Sequence, residues 1–482
     1  MAANRKKFNK VSGVGFTGWL IGLLILIGVF AGSPVEAARK SRSKATEPIL
    51  RVKIGNLSKK IEISFNSDGQ VLNGRGRRIR TIRGNSKFSW QLPSGRRHRR
   101  IHHENETLTF AGRDNQVILN GKKYRGRMLI KFSKSGALVV NHVGIEDYLR
   151  GVVGSEMGSL SPAQSLMAQT IIARTYAYSN KGKHGRDGAD VCDSTHCQVY
   201  KGISAERDTI NKAIDGTLGI IMISEGKPIQ TLYHATCGGM TSDNDKVFGG
   251  SPCSYLRRVI CPFCKSGSNY RWVKTLTLNE FKKGMASEKI IFNRLYDFGY
   301  EAPGLLDRVD KVFINTDKGE FSIKGTTFRR IFNLKSTTFT LGNRKTVKAL
   351  ISAAAPDEQA SEKKIQIVLK GLGETASDGP PQLIVQTSKG LKRTPRPEDG
   401  WKTITCRQIE TPKTEKASGR RTDPIRSPAT GNIEKVEIFG RGYGHQVGLC
   451  QSGAIELGKR NWSYRQILPF YYANVALRQL GY

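Results

Sequence analysis

Between residues 49 and 133, apolar and polar residues alternate in short runs such as ILRVKIG, KKIEISFN and MLIKFS. Turn-forming residues separate the runs, among them SDG at 67–69 and NG at 120–121. Alternation is typical of strands with one buried face, and Asn-Gly favours tight hairpins. The sequence therefore predicts a small antiparallel β region over residues 48–134.

A helical pattern follows the strands. The segment IEDYLRGVV begins with two acids, which favour the positive end of a helix dipole, and we expect Gly151 and Gly154 to end this helix. A second helix should begin after Ser161, its predicted N-cap, with Gln164 completing a capping box. Glu156 is therefore predicted on the connection between the two helices.

The remaining chain predicts an α+β fold. Mixed strands and short helices continue to about residue 343, and residues 344–431 are rich in Pro, Ser, Thr and charge. We interpret this stretch as a low-complexity, partly disordered insertion with strand-like pieces IQIVLKGL and LIVQTS. Order returns as a strand, a glycine-rich turn, a helix and a helix capped by Ser463. Residues 135–482 are thus predicted to be one domain of mixed helices and strands with a cleft.

The first residues predict export. A basic lead precedes 23 uncharged residues and the small-residue sequence PVEAARK. Residues 1–37 are therefore expected to be a secretory signal or an uncleaved anchor, followed by a basic linker over 38–47. The protein should act in the periplasm or cell envelope, with membrane association through its N-terminus as an alternative to free export.

The net charge of the 482-residue chain is +38, which favours polyanionic partners. Export argues against nucleic acid, and it leaves an acidic wall polymer or a membrane surface. A DNA-binding protein would explain the charge but not the N-terminus.

Glu156 is the only acid in RGVVGSEMGSLSPAQ. One interpretation is a surface acid that pairs near the next helix. The other is a general acid, because Val152, Val153 and Met157 could desolvate the carboxyl and raise its pKa.

The segment GRGYGHQVGLCQSGA combines glycines with Arg441, His445 and Gln451, which could hydrogen-bond hydroxyl, acetamido or carboxylate groups. It is equally compatible with a tight structural turn that buries His445. In YHATCGGMTSD, Thr236 is expected to line a cleft, and the alternative is a thiol nucleophile at Cys237.

Cysteines and histidines are clustered between residues 184 and 264. A tetrahedral zinc site is predicted from His184, Cys192, His196 and Cys197. Alternatives are a four-thiolate site that combines Cys192 and Cys197 with Cys261 and Cys264, or disulfides. The zinc would be structural, since no H-E-x-x-H motif occurs in the chain.

Five motifs occur in one order: IEDYLRGVVGSEM, LMAQTIIARTYAY, VCDSTHCQVYKG, YHATCGGMTS and GRGYGHQVGLCQSGA with SYRQILPFYY. Together they resemble the stage II sporulation protein D family and its amidase-enhancer relatives (SpoIID/LytB), over about residues 140–480 without the insertion. Four residues depart from the family pattern: Gln446 stands where a glycine is usual, Cys450 and Ser452 replace a serine and an aromatic residue, and Gly158 replaces a proline.

The resemblance implies a peptidoglycan lytic transglycosylase that acts on glycan strands stripped of stem peptides by an amidase. Its essential glutamate corresponds to Glu156, and Arg174, His445 and Gln451 match further motif positions. The metal-binding loop of some members matches the predicted zinc ligands. The chemistry requires no cofactor, and the metal would be structural.

One acid suffices for this reaction. Ordinary glycosidases use two carboxylates, whereas a lytic transglycosylase closes the sugar's own C6 hydroxyl onto C1. We expect Glu156 to act as acid and then as base, with Arg174, Thr236, Arg441, His445 and Gln451 binding the substrate. The alternatives are a non-catalytic amidase enhancer that binds peptidoglycan and a lysozyme-like hydrolase.

Overall fold

The computed structural model describes residues 46–57, 60–91, 106–133, 136–302, 308–341, 384–387, 390–393 and 433–482. The predicted signal or anchor lies outside these residues, as does most of the predicted insertion, including IQIVLKGL. Within the described ranges, no helix is long and apolar enough to cross a bilayer.

The first half of the chain forms a nine-stranded sheet. Its strands are β1 (Ile49–Leu57), β2 (Lys60–Ser64), β3 (Gly69–Leu72), β4 (Arg78–Ile82), β5 (Lys87–Gln91), β6 (Thr107–Leu119), β7 (Lys122–Ser133), β8 (Gly136–Gly144) and β9 (Val191–Cys192). The main order is β4-β3-β6-β7-β8-β1-β9, with β2 between β5 and β6. Every pairing in this sheet is antiparallel except that of β1 with β9. The antiparallel β region is confirmed, and its sheet continues past residue 134 through β8.

Helix α1 (Ile145–Glu156) packs on this sheet, and α2 (Ala163–Ser179) and α3 (Asp208–Asp215) pack on α1. Apolar residues of the strands and of these helices share one buried core. The sheet therefore supports α1, the helix that carries Glu156.

The predicted end of α1 is wrong, because the helix continues through Gly151 and Gly154 to Glu156. A Cβ atom at Gly151 would overlap the ring of Tyr200, and one at Gly154 would overlap the carbonyl oxygen of Ala205. The glycines thus allow α1 to pack closely on the segment beside it. Glu156 is the last residue of α1 and does not lie on a loop.

The predicted capping box of α2 is also wrong. Its N-cap is Pro162, which makes no side-chain cap. The side-chain oxygen of Gln164 accepts a hydrogen bond from the backbone N–H of Tyr464 over 2.9 Å, so it links α2 to a later helix. The predicted cap of the last helix, Ser463, is confirmed, and Ser463 forms a capping box with Gln466.

The second half contains smaller sheets. Its strands are β10 (Ile220–Ser224), β11 (Lys227–Pro228), β12 (Tyr233–His234), β13 (Arg271–Thr277), β14 (Leu295–Glu301), β15 (Lys311–Thr316), β16 (Gly319–Lys324), β17 (Phe339–Leu341), β18 (Ile384–Thr387), β19 (Gly390–Arg393), β20 (Lys435–Arg441), β21 (Leu449–Cys450) and β22 (Ala476–Gln479). The sheets are β11-β10-β22, β12-β21, β13-β20-β17, β14-β15-β16 and the hairpin β18-β19. The pair β12-β21 is parallel and joins segments more than 200 residues apart.

The helices of this half are α4 (Asn244–Phe248), α5 (Leu278–Ala286), α6 (Gly325–Ile331), α7 (Gln451–Lys459) and α8 (Tyr464–Tyr471), and short 3₁₀ turns occur at Gly185–Asp187, Gly202–Ala205 and Pro262–Ser266. Strands β17 and β20 precede and follow the predicted insertion and pair antiparallel in one sheet. The chain thus leaves and re-enters the same sheet, and LIVQTS contributes strand β18 as expected. The α+β class is confirmed.

Candidate functional site

Glu156 is half-buried at the C-terminal end of α1. Its carboxylate accepts a hydrogen bond from the backbone N–H of Val199 over 3.2 Å. The hydroxyl of Tyr233 is a second hydrogen-bonding group beside the carboxyl. The side chain is therefore held by two partners and does not extend into bulk water.

Burial raises the pKa of Glu156 above its ordinary value, although the Val199 N–H and the Tyr233 hydroxyl favour the charged form. The free carbonyls in the last turn of α1 act in the same direction as burial, because they disfavour a negative charge. The sequence suggested an opposing effect from the start of α2. In the structure the groups that oppose burial are the Val199 N–H and the Tyr233 hydroxyl, and burial outweighs them, so the pKa of Glu156 lies above its ordinary value.

Tyr233, on β12, is a site residue that the sequence analysis missed. Its hydroxyl accepts a hydrogen bond from Gln198 over 3.5 Å, and Gln198 accepts one from the buried Tyr148 over 3.3 Å. Tyr233 is the first residue of the motif YHATCGGMTS, and a polar aromatic residue at that position was the available signal. This chain of polar groups orients the hydroxyl toward Glu156.

Gln451 begins α7 and lies next to Glu156. Its amide donates to the backbone carbonyl of Glu156 over 3.2 Å and to the side chain of Gln169 over 3.5 Å. The structure thus brings together residues 295 positions apart in the chain. The residue that follows the glycine-rich turn and the end of α1 are therefore in contact.

His445 contacts the backbone of Tyr233. The N–H of Val447 donates to Nδ1 of His445 over 3.1 Å, so the ring proton lies on Nε2. The ring also hydrogen-bonds the backbone carbonyl of Tyr233. Burial, together with Arg308 and Arg329, lowers the pKa of His445 to about 4. His445 is therefore neutral at pH 7 and positions β12.

Thr236 belongs to the motif that begins with Tyr233, and Arg441 belongs to the glycine-rich segment. The buried hydroxyl of Thr236 is 2.8 Å from that of Ser452. Arg441 ends β20, and its guanidinium lies 5.9 Å from the ring centroid of Tyr270. Burial lowers the pKa of Arg441. Their roles toward a substrate remain predictions.

The structure does not place Arg174 at the cleft. The side chain is fully buried in α2 and makes two hydrogen bonds to Glu146, of 2.8 and 2.7 Å. The same carboxylate also accepts from the N–H of Gly219 and from the hydroxyl of Tyr482. We therefore assign Arg174 to a structural ion pair, which corrects its predicted role in substrate binding.

The predicted zinc ligands come together. One donor atom from each of His184, Cys192, His196 and Cys197 lies within 4.8 Å of the other three. Two nitrogens and two sulfurs at such separations fit a tetrahedral zinc ion. The loop leads directly to Gln198 and Val199, which contact Tyr233 and Glu156. The backbone donor beside Glu156 is thus fixed by the geometry of this loop.

The predicted mixed set of Cys192, Cys197, Cys261 and Cys264 is wrong. A separate group with all ligand atoms within 4.8 Å of one another consists of Cys237, Cys261, Cys264 and Cys450. The seven cysteines that the structure describes are all free, and Cys406 lies outside the described residues. The sequence analysis missed this second group, because its members are separated by up to 213 positions.

A family model described as stage II sporulation protein (SpoIID) matches residues 133–223. An uncharacterised protein of Brachyspira hyodysenteriae is 34% identical over 186 residues, which cover 38% of this chain and 50% of that protein. Stage II sporulation protein D of Bacillus subtilis is 29% identical over 215 residues, 42% of this chain and 61% of that protein. The amidase enhancer of Bacillus subtilis is 24% identical over 368 residues, 75% of this chain and 45% of that protein.

The chain thus spans about half the length of the curated relatives it matches. The segment matched by the family model contains Glu156, the loop from His184 to Cys197, and the buried Arg174. The family match and the named relatives agree with the ordered motifs read from the sequence. Over residues 133–223 the chain is thus similar to the stage II sporulation protein D family.

Proposed function

We propose that this protein is a peptidoglycan lytic transglycosylase that cleaves MurNAc–GlcNAc bonds in glycan strands lacking stem peptides. The observation that carries the proposal is the environment of Glu156: a half-buried carboxyl with a raised pKa, beside Tyr233 and Gln451. A carboxyl of this kind retains a proton that it can donate to a leaving oxygen.

The reaction needs one titrating side chain. Protonated Glu156 donates to the glycosidic oxygen as the bond from that oxygen to C1 of the muramic acid breaks. The C6 hydroxyl of the same sugar then attacks C1, and its proton passes to the Glu156 carboxylate. The products are a strand with a 1,6-anhydro end and a strand with a new hydroxyl, and the enzyme regains its starting protonation state.

Neutral donors around the carboxyl position the sugar in this proposal. The amide of Gln451 fixes the end of α1, and His445 fixes the backbone of Tyr233. Tyr443, two positions before His445, is 47% exposed and offers a ring to a sugar face. Preorganised polar groups of this type stabilise the charge that develops at C1.

The net charge of +38 suits a protein that acts on anionic polymers of the cell envelope. Strands without stem peptides carry lactyl carboxylates, and a basic protein is held on such a lattice in a salt-dependent manner. We further propose that the loop from His184 to Cys197 holds a structural zinc, which would fix the Val199 N–H beside Glu156.

A second function deserves a test because one relative is named an amidase enhancer. In that case the protein binds glycan and acts through an amidase, without turnover of its own. Purified chain should be incubated with denuded glycan strands in the absence of any amidase. Release of soluble fragments with anhydro ends supports the enzyme, whereas retained binding without release supports the enhancer.

Replacement of Tyr233 by Phe should move the pH dependence of turnover. The hydroxyl favours ionised Glu156, so its loss should raise the pKa of Glu156 further and shift the descending limb of the rate profile to higher pH. The pKa of this carboxyl depends on burial, on the Val199 N–H and on the Tyr233 hydroxyl. His445 should add no limb near pH 6.5, because it stays neutral.

The control for this variant is Tyr296→Phe, which removes the hydroxyl of a 48% exposed tyrosine on β14. Its rate profile should match the wild type. A Tyr233→Phe profile with an unchanged limb would separate this hydroxyl from the titration of Glu156.

A further inference from the structure

A second cysteine group lies apart from the predicted zinc loop. Its four sulfurs lie within 4.8 Å of one another, and its members are Cys237, Cys261, Cys264 and Cys450. Each residue is at most 1% exposed and belongs to the apolar core of the C-terminal half. We propose that these four thiolates bind one tetrahedral metal ion, with Zn²⁺ as the expected occupant. This site goes beyond the proposed function and does not depend on it.

The distances fit a single ion. Zinc–sulfur bonds of about 2.3 Å in a tetrahedron place the sulfurs about 3.8 Å apart. The sulfurs of Cys237 and Cys264 are 3.4 Å apart, and no pair in the group exceeds 4.8 Å. A disulfide would join two sulfurs at about 2.05 Å, and all four cysteines are free in the structure. Mutual proximity of all four is the arrangement that one central ion requires.

Hydrogen bonds to sulfur support the same assignment. The backbone N–H groups of Cys237 and Gly453 donate to Cys450 Sγ over 3.2 and 3.4 Å. The hydroxyl of Tyr471 lies 3.2 Å from Cys261 Sγ. Donors of this kind orient thiolate ligands and offset their charge. A Cβ atom at Gly453 would lie 2.7 Å from Cys261 Sγ, so this glycine leaves room for the group.

The ligands come from three parts of the chain. Cys237 follows β12, and Cys450 ends β21. Cys261 precedes the 3₁₀ turn Pro262–Ser266 and Cys264 lies within it, so the two form a C-x-x-C pair. Four protein ligands in a dry core leave no open position for water, which is typical of a structural site.

The ion would stabilise two segments of the candidate active site. Cys450 directly precedes Gln451, which binds the backbone of Glu156. Strand β21, which ends at Cys450, pairs with β12, which carries Tyr233. One metal ion at this position would therefore fix both segments that contact the end of α1. Binding would couple to folding of the C-terminal half.

The test begins with wild-type protein purified without a metal-affinity tag. We expect two zinc ions per chain by elemental mass spectrometry, one for each group of ligands. X-ray absorption should then give an average of three sulfurs and one nitrogen per zinc, since one group offers four sulfurs and the other two sulfurs and two nitrogens. One ion with two sulfurs and two nitrogens would overturn the proposal.

Variants separate the two groups. The double variant Cys192→Ser/Cys197→Ser should retain one zinc ion, bound by four sulfurs at about 2.3 Å. The double variant Cys237→Ser/Cys264→Ser should lose this four-sulfur zinc ion. Cys253→Ser is the matched control, because Cys253 is a free cysteine outside both groups, and it should retain both ions. Peptide mapping that finds disulfides among the four buried cysteines of the wild type would contradict the assignment.

Discussion

Glu156→Gln is expected to abolish release of glycan fragments, with a loss in rate of about 10⁴-fold. A general acid or base contributes about 10²- to 10⁴-fold, and here one side chain performs both steps. Glutamine keeps the size of the side chain and can still accept the hydrogen bond from Val199, but it carries no transferable proton. The measurement is the initial rate of fragment release from denuded strands at equal enzyme concentration.

The same variant should fold at least as stably as the wild type at neutral pH. Burial raises the folded-state pKa of Glu156, so the wild type loses stability as pH rises from the unfolded-state pKa, about 4.3, through that raised value. The neutral amide avoids this loss. The difference in melting temperature should grow with pH over that window and vanish below it.

The control is Glu225→Gln, the same chemical change at an exposed residue in the turn between β10 and β11. Its activity and stability should match the wild type. A Glu156→Gln protein with full activity would remove Glu156 from the mechanism.

Arg174→Ala should lower the free energy of unfolding by about 3–5 kcal/mol, because it leaves the Glu146 carboxylate buried without its cation. The side-chain exposures are 0% for Arg174 and 7% for Glu146, so water cannot replace the lost partner. Urea denaturation of wild type and variant measures the difference.

Two further variants define the cause. Arg174→Met with Glu146→Gln removes both charges, and the new amide oxygen can still accept from Gly219 and Tyr482. It should regain most of the stability. Arg330→Ala, which breaks an exposed pair with Glu288, should cost less than about 1 kcal/mol. An Arg174→Ala protein with unchanged stability and a raised KM would restore the substrate role inferred from the resemblance.

Sequence periodicity predicted the architecture well where burial has a simple pattern. The alternation over residues 49–133 predicted the antiparallel strands, and Ser463 predicted the start of α8. Local rules failed where tertiary packing decides. Gly151 and Gly154 weaken an isolated helix, but they let α1 approach Tyr200 and Ala205. Their spacing carries no sign of those partners, so Glu156 was predicted on a loop.

The candidate site shows the same division. The contact of Gln451 with Glu156 agrees with the motifs, which the sequence analysis assigned to one cleft. The buried pairing of Arg174 with Glu146 and the gathering of Cys237 with Cys450 depend on chain crossings that no local pattern encodes. The motifs therefore identified important positions, but they did not predict which residues those side chains contact.

The most direct test of the central claim is the digestion of denuded glycan in water enriched in heavy oxygen. Since the C6 hydroxyl of the sugar replaces water as nucleophile, the new ends should contain no heavy oxygen and be lighter by one water than reducing ends. Mass spectrometry of the fragments reads both properties at once. Reducing ends that carry one heavy oxygen per cut would show hydrolysis and contradict the account.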